Sequence, residues 1–168
     1  MDGGSRGRAH GLGYARRLGV AVNKLLLFIH LIGAIVWMGG MTLVLLALRP
    51  AALRVLQPPL RQQLLLQVLR GFFPLVWLSI ALLLGSGAWA LASVGMAAAA
   101  PGWHAMLGIG LVMTAVFAHI YFAPYRRACR AAREARWPEV GAALQRIHRL
   151  VQLNFVLGWL AIALVLLL

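Results

Sequence analysis

Four long apolar runs, separated by short polar stretches, organise the chain. The first extends from Leu25 to Leu48, and only His30 and Thr42 interrupt its apolar character. The second covers Gly71 to Val94, the third Gly102 to Ala123, and the fourth follows Arg149 to Leu168. Each is close to the roughly 20 residues a helix needs to cross the hydrocarbon core of a bilayer. The pattern predicts an all-α integral membrane four-helix bundle, with four transmembrane helices and both termini on the same side. Residues 1–23 read as a flexible basic tail with a short helix around Tyr14 to Val22, and residues 24–168 as one transmembrane domain. Leu60 to Arg70 is amphipathic and reads as an interfacial helix or as the beginning of the second span. The tail has no apolar core of the kind a cleavable leader needs, so the first run reads as a retained span.

Composition agrees: 62% of the chain is hydrophobic and 11% charged, where a soluble domain is closer to half apolar. The net charge of +13 would suit nucleic acid. The arginines, however, sit in the gaps between apolar runs, as cytoplasmic loops require, and nucleic acid is not expected as a partner. Arg49, Arg54, Arg61 and Arg70 fall in or beside the first gap. The third holds seven from Arg126 to Arg149, and the second, from Ser93 to Gly102, holds none. The first and third gaps should therefore face the cytoplasm, although Arg6, Arg8, Arg16 and Arg17 in the tail oppose that orientation. Cys129 is the single cysteine and has no intrachain partner for a disulfide.

Chemistry enters with the histidines. An ionisable side chain within a membrane segment is costly and marks a functional site by default. Two such residues, His104 and His119, lie near opposite ends of the third run, roughly 22 Å apart along a helix. His30 lies at the outer part of the first run, and His148 just before the fourth. The four sort into an outer pair, His30 with His104, and an inner pair, His119 with His148. Neutral imidazoles ligate haem iron, so the arrangement suggests one or two bis-histidine haem b sites. Arg70, Arg126, Arg146 and Arg149 would meet the propionates, and Gly33, Gly108 and Gly110 would leave room for the ring. The corresponding function is cytochrome-like electron transfer from a quinol or another membrane donor, with a quinone-linked oxidoreductase as one form of it. Partners would be the lipid bilayer, a quinone or a redox protein, and a second copy of the chain. The alternative is copper, which histidine and methionine also bind, using His30, His104 and nearby methionines, with Met38, Met41, Met96, Met106 and Met113 present. His104 and Met106 are two apart and point away from each other on a helix. A third reading is a non-catalytic partner subunit whose histidines only pack. His10 is read as a tail histidine.

Several segments match a known group in order. Phe28-Ile-His30-Leu-Ile-Gly-Ala-Ile-Val-Trp37-Met-Gly39-Gly40-Met41 resembles the first helix of the CopD (copper resistance D domain) membrane proteins. Phe72-Phe-Pro74-Leu-Val-Trp77, His104-Ala-Met106 and His119-Ile-Tyr-Phe-Ala-Pro124-Tyr-Arg126-Arg127 resemble its short members. The resemblance covers roughly residues 25 to 165. It implies a multi-pass protein of the bacterial inner membrane with a role in copper handling. The first helix and the Trp103-His104 stretch are also similar to HemJ-type protoporphyrinogen oxidases, which implies haem b and a porphyrinogen oxidase. In that family a lysine follows the Trp-His region. Met106 stands near its place here, and the fifth helix of that family has no counterpart.

Overall fold

The computed structural model describes the backbone of residues 4–95 and 98–167, and side chains from residue 19 onward. All its regular structure is helical: α1 (Gly4–Thr42), a π turn (Leu43–Leu48), α2 (Arg49–Val55), α3 (Pro58–Val94), α4 (Pro101–Ile120), a second π turn (Tyr121–Tyr125), α5 (Arg126–Arg133) and α6 (Trp137–Leu167). Four of the continuous helical stretches are long and apolar enough to cross a membrane: Gly19–Val55, Pro58–Val94, Pro101–Arg133 and Trp137–Leu167. The four-helix membrane bundle read from the hydrophobic pattern is therefore the observed fold. His10 and the tail arginines lie outside the described side chains. The backbone there continues α1 back to Gly4.

The helices run further than the apolar runs alone suggest. Leu60 to Arg70 is the first part of α3 and not a separate interfacial helix. Pro58 and Pro59 open α3 where their missing N–H groups cost nothing. Ala123-Pro124 does not end the third span either. Pro124 cannot donate to a carbonyl one turn back, and the chain accommodates this by widening into a π turn before continuing as α5. The other π turn precedes Pro50, and there Arg49 donates its backbone N–H to the Val44 carbonyl, five residues back. Each π turn holds an extra residue and rotates whatever follows.

Glycine and a left-handed residue close the ends. Gly95, at φ 88°, ends α3 and donates to the Leu91 carbonyl at 2.9 Å. Ala135, at φ 53°, ends α5, and Arg136 then donates its backbone N–H to the Ala131 carbonyl at 2.9 Å, the Schellman pattern. The Arg136 side chain bridges Glu134 at 2.6 Å and Glu139 across the turn into α6.

Packing divides the bundle into two antiparallel hairpins. α1 lies along α3 and α4 along α6, and contacts between the two pairs are sparser. α1 and α4 make no extended contact with each other. Small residues decide how near the helices come. Gly33 faces the Ser79 carbonyl and Leu83, and Gly40 faces the Phe72 ring. These positions on α1 admit α3 and leave no slot for a flat ligand. The centre is filled by rings: Phe117 packs edge-on against Phe73 (centroids 5.3 Å), Trp77 (5.2 Å) and Trp37 (6.3 Å). Phe73 also meets Tyr125 at 4.7 Å.

The close approach of α1 and α3 gives a direct test. Gly33→Val should cost about 1–3 kcal/mol from overpacking, read as the unfolding midpoint in detergent. Gly39→Ala, where a Cβ meets nothing within 4 Å, should be neutral or slightly stabilising because alanine is the better helix former.

Candidate functional site

Hydroxyls in the spans are satisfied locally. Thr42 bonds back to Met38, Ser79 to Leu75 and Thr114 to Gly110, each one turn earlier on its own helix. Bonds between helices are fewer, and they mark where polarity has a purpose beyond its own helix.

Towards the α3–α4 connector, His30 Nδ1 is 2.8 Å from Ser86 Oγ, joining α1 to α3. Ser86 also donates to the Leu82 carbonyl at 2.5 Å. A hydroxyl has one proton. With that proton committed to Leu82, Oγ accepts from His30, and Nδ1 carries the hydrogen. At the arginine-rich end, Arg49 donates to His148 Nε2 at 3.2 Å, joining the first hairpin to α6. Between them, Asn154 is 1% exposed and donates Nδ2 to the Met113 carbonyl at 3.1 Å. Its Oδ1 is buried without a hydrogen-bond partner. One turn along α6, a side chain at Gly158 would run into Met38 Sδ and lie 3.3 Å from Met113 Cε. Two thioether side chains, one from α1 and one from α4, thus converge on one point of α6, with an unused amide oxygen a turn away.

The structure does not assemble the two bis-histidine pairs suggested by the sequence. His104 is exposed, and its Nδ1 lies 3.3 Å from the carbonyl of Ala100, the residue that caps its own helix. His119 is exposed on α4. His30 turns to Ser86 and His148 to Arg49. The reason is rotational phase: depth along a helix can match while the side chains face different ways. Of the arginines expected at propionates, Arg70, Arg126, Arg146 and Arg149 are all exposed. Arg126 sits over the Phe122 ring at 5.1 Å. Gly108 and Gly110 have nothing within 4 Å of an added Cβ, so they open no slot against a neighbouring helix. The residues do not fit a porphyrin as arranged. Among the described residues there is also no group of three or more His, Cys, Asp or Glu able to hold a metal ion.

In the sequence Met38 and Met113 are only scattered methionines, and nothing there singles out Gly158 or Ser86. Asn154 carried a usable signal, since a buried amide in an apolar span needs a partner. Nothing in the spacing shows that Met38 reaches it.

The architecture defines a multi-pass helical membrane protein with a polar and sulfur-bearing interior. A family model described as copper resistance protein D matches residues 66–168. The chain belongs to the CopD family. The match begins within α3, so the first-helix motif around His30 lies outside it. No match is found among curated proteins or solved structures, and the likeness to HemJ-type oxidases gains no support.

The placement of the histidines can be tested by stability. His104→Ala and His119→Ala, at exposed positions, should shift the unfolding free energy by no more than about 0.5 kcal/mol. His30→Leu should cost about 1 kcal/mol through the lost interhelical hydrogen bond. An equal loss in all three would contradict the outward orientation of α4's histidines.

Proposed function

We propose that this protein handles copper within the membrane, binding Cu(I) between Met38 and Met113 beside Gly158. The observation that carries the reading is the convergence of these two side chains inside the bundle. Thioethers are soft donors that select Cu(I) over the harder divalent ions, and membership of the CopD family supports copper as the cargo. Asn154 Oδ1, buried and unpartnered, would supply the negative end of a dipole to a cation.

The donor set also says what kind of binding to expect. All these groups are neutral, so a bound Cu(I) keeps its full charge in a low-dielectric interior, where an uncompensated charge is expensive. Such a site holds copper weakly and suits passage better than storage. His30 on α1 is a nitrogen donor towards the other end of the bundle. On this reading the protein belongs to the bacterial inner membrane, with its arginine-rich end in the cytoplasm. The haem and electron-transfer reading has less support, because its four histidines face four different surroundings. A quinone or redox partner belongs to that second reading.

Detergent-purified protein loaded anaerobically with Cu(I) in the presence of a competing chelator tests the choice. Copper should be retained, and Met38→Leu and Met113→Leu should each lose it with little change in folding, since leucine conserves volume. Asn154→Leu should weaken binding about 10- to 100-fold, as removal of a supporting group around a metal does. If both methionine variants keep wild-type copper, the assignment is wrong. A red preparation with a bis-histidine haem spectrum would favour the other reading.

A further inference from the structure

A second feature lies at the arginine-rich end and does not depend on copper. A cleft runs between the end of the first span, α3 and α6, lined by apolar residues that include Leu45, Leu48, Leu65, Leu69, Leu144 and Val151. Arg49 and His148 also line it. Arg61, a like-charged neighbour of Arg49, is one turn before Leu65 on α3 and so lies on the same helix face.

Three observations define what would bind. First, the cationic groups have no acidic counterpart. Among the described residues, the only ion pairs involve Glu134 and Glu139, and both belong to Arg136. Second, a guanidinium has no acceptor atom. His148 Nε2 must therefore accept the hydrogen bond from Arg49, and the ring's proton is on Nδ1. That Nδ1 is buried and has no partner, so a donor is aimed where no acceptor stands. Third, the cleft measures about 30 Å³. This admits a water or one oxygen of a larger group whose remainder lies outside it. The missing ligand is an anion with oxygen acceptors, and the apolar walls beside it continue into the lipid-facing spans.

We infer that this cleft is a binding site for an anionic phospholipid. Its phosphate would take hydrogen bonds from Arg49, Arg61 and His148 Nδ1, and an acyl chain would lie along the leucine-lined walls. Phosphate oxygens suit arginine donors, and the ligand would satisfy the buried His148 nitrogen that has no partner. The π turn at Leu43–Leu48, immediately before Arg49, sets the direction in which that arginine leaves the helix. The choice of lipid over free phosphate rests on the walls, because an inorganic ion would gain nothing from them.

Native mass spectrometry of the full chain released from detergent tests this with phosphatidylglycerol, phosphatidylcholine and inorganic phosphate in separate arms. Wild type should retain one phosphatidylglycerol in preference to phosphatidylcholine, and inorganic phosphate at the same concentration should not displace it. Arg61→Gln and His148→Phe should each weaken retention about 10- to 100-fold, the equivalent of one charge-assisted hydrogen bond. Arg127→Gln, an exposed arginine in the same basic region, should not. Arg61→Gln removes no hydrogen bond seen in the fold, so it remains informative if His148→Phe misfolds. Equal losses in Arg127→Gln would reduce the effect to general surface attraction and overturn the site. So would equal retention of phosphatidylcholine, and displacement by inorganic phosphate would mean that a free anion is the ligand.

Discussion

Inside hydrocarbon, a polar group without a partner finds no water to replace it, and this constraint shapes the whole bundle. The backbone answers with continuous helices, even where Pro50 and Pro124 would interrupt them. The hydroxyls answer by bonding to carbonyls on their own helices. What remains is a short set of interhelical bonds, His30 to Ser86, Arg49 to His148 and Asn154 to Met113. Against that background, three buried side-chain atoms among the described residues stay without partners: Gln62 Oε1, His148 Nδ1 and Asn154 Oδ1. Two of the three flank the proposed sites. The third belongs to a side chain that packs its amide nitrogen against Gly141, where α3 and α6 approach closely.

The electrostatics divide along the same axis. The middle of the bundle is neutral and soft, built from thioethers, aromatic rings and one amide. The arginine-rich end is cationic and has almost no acid to balance it, with both described glutamates held at the α5–α6 corner by Arg136. Hydrogen bonds to Glu139 and Glu134 hold the Arg136 guanidinium proton above its ordinary range. That corner is therefore pinned, and Arg49 and Arg61 have no carboxylate partner among the described residues.

The spans were legible because an apolar run of membrane length has few other fates. Where the helices continue was less legible. Pro124 reads as a terminator, yet a π turn costs the chain only local geometry. The site was legible by residue type and not by partner. Histidine and methionine were the right letters to notice, but periodicity along one helix does not fix its rotation against another. Depth alone pairs His104 and His119 with His30 and His148, and the fold turns them outward. Met38 and Met113 have no sequence relation that would join them. They meet because Gly158 lacks a side chain and α6 lets both approach.

The division into two hairpins has a mechanical consequence. His30 and Ser86 belong to the same hairpin, so their bond travels as part of one rigid half. Met38 and Met113 come from opposite halves, as do Arg49 and His148. The interface between halves is the thinner one. A rocking of one half against the other would thus act on the thioether pair and the Arg49–His148 contact in a single stroke, leaving His30 undisturbed.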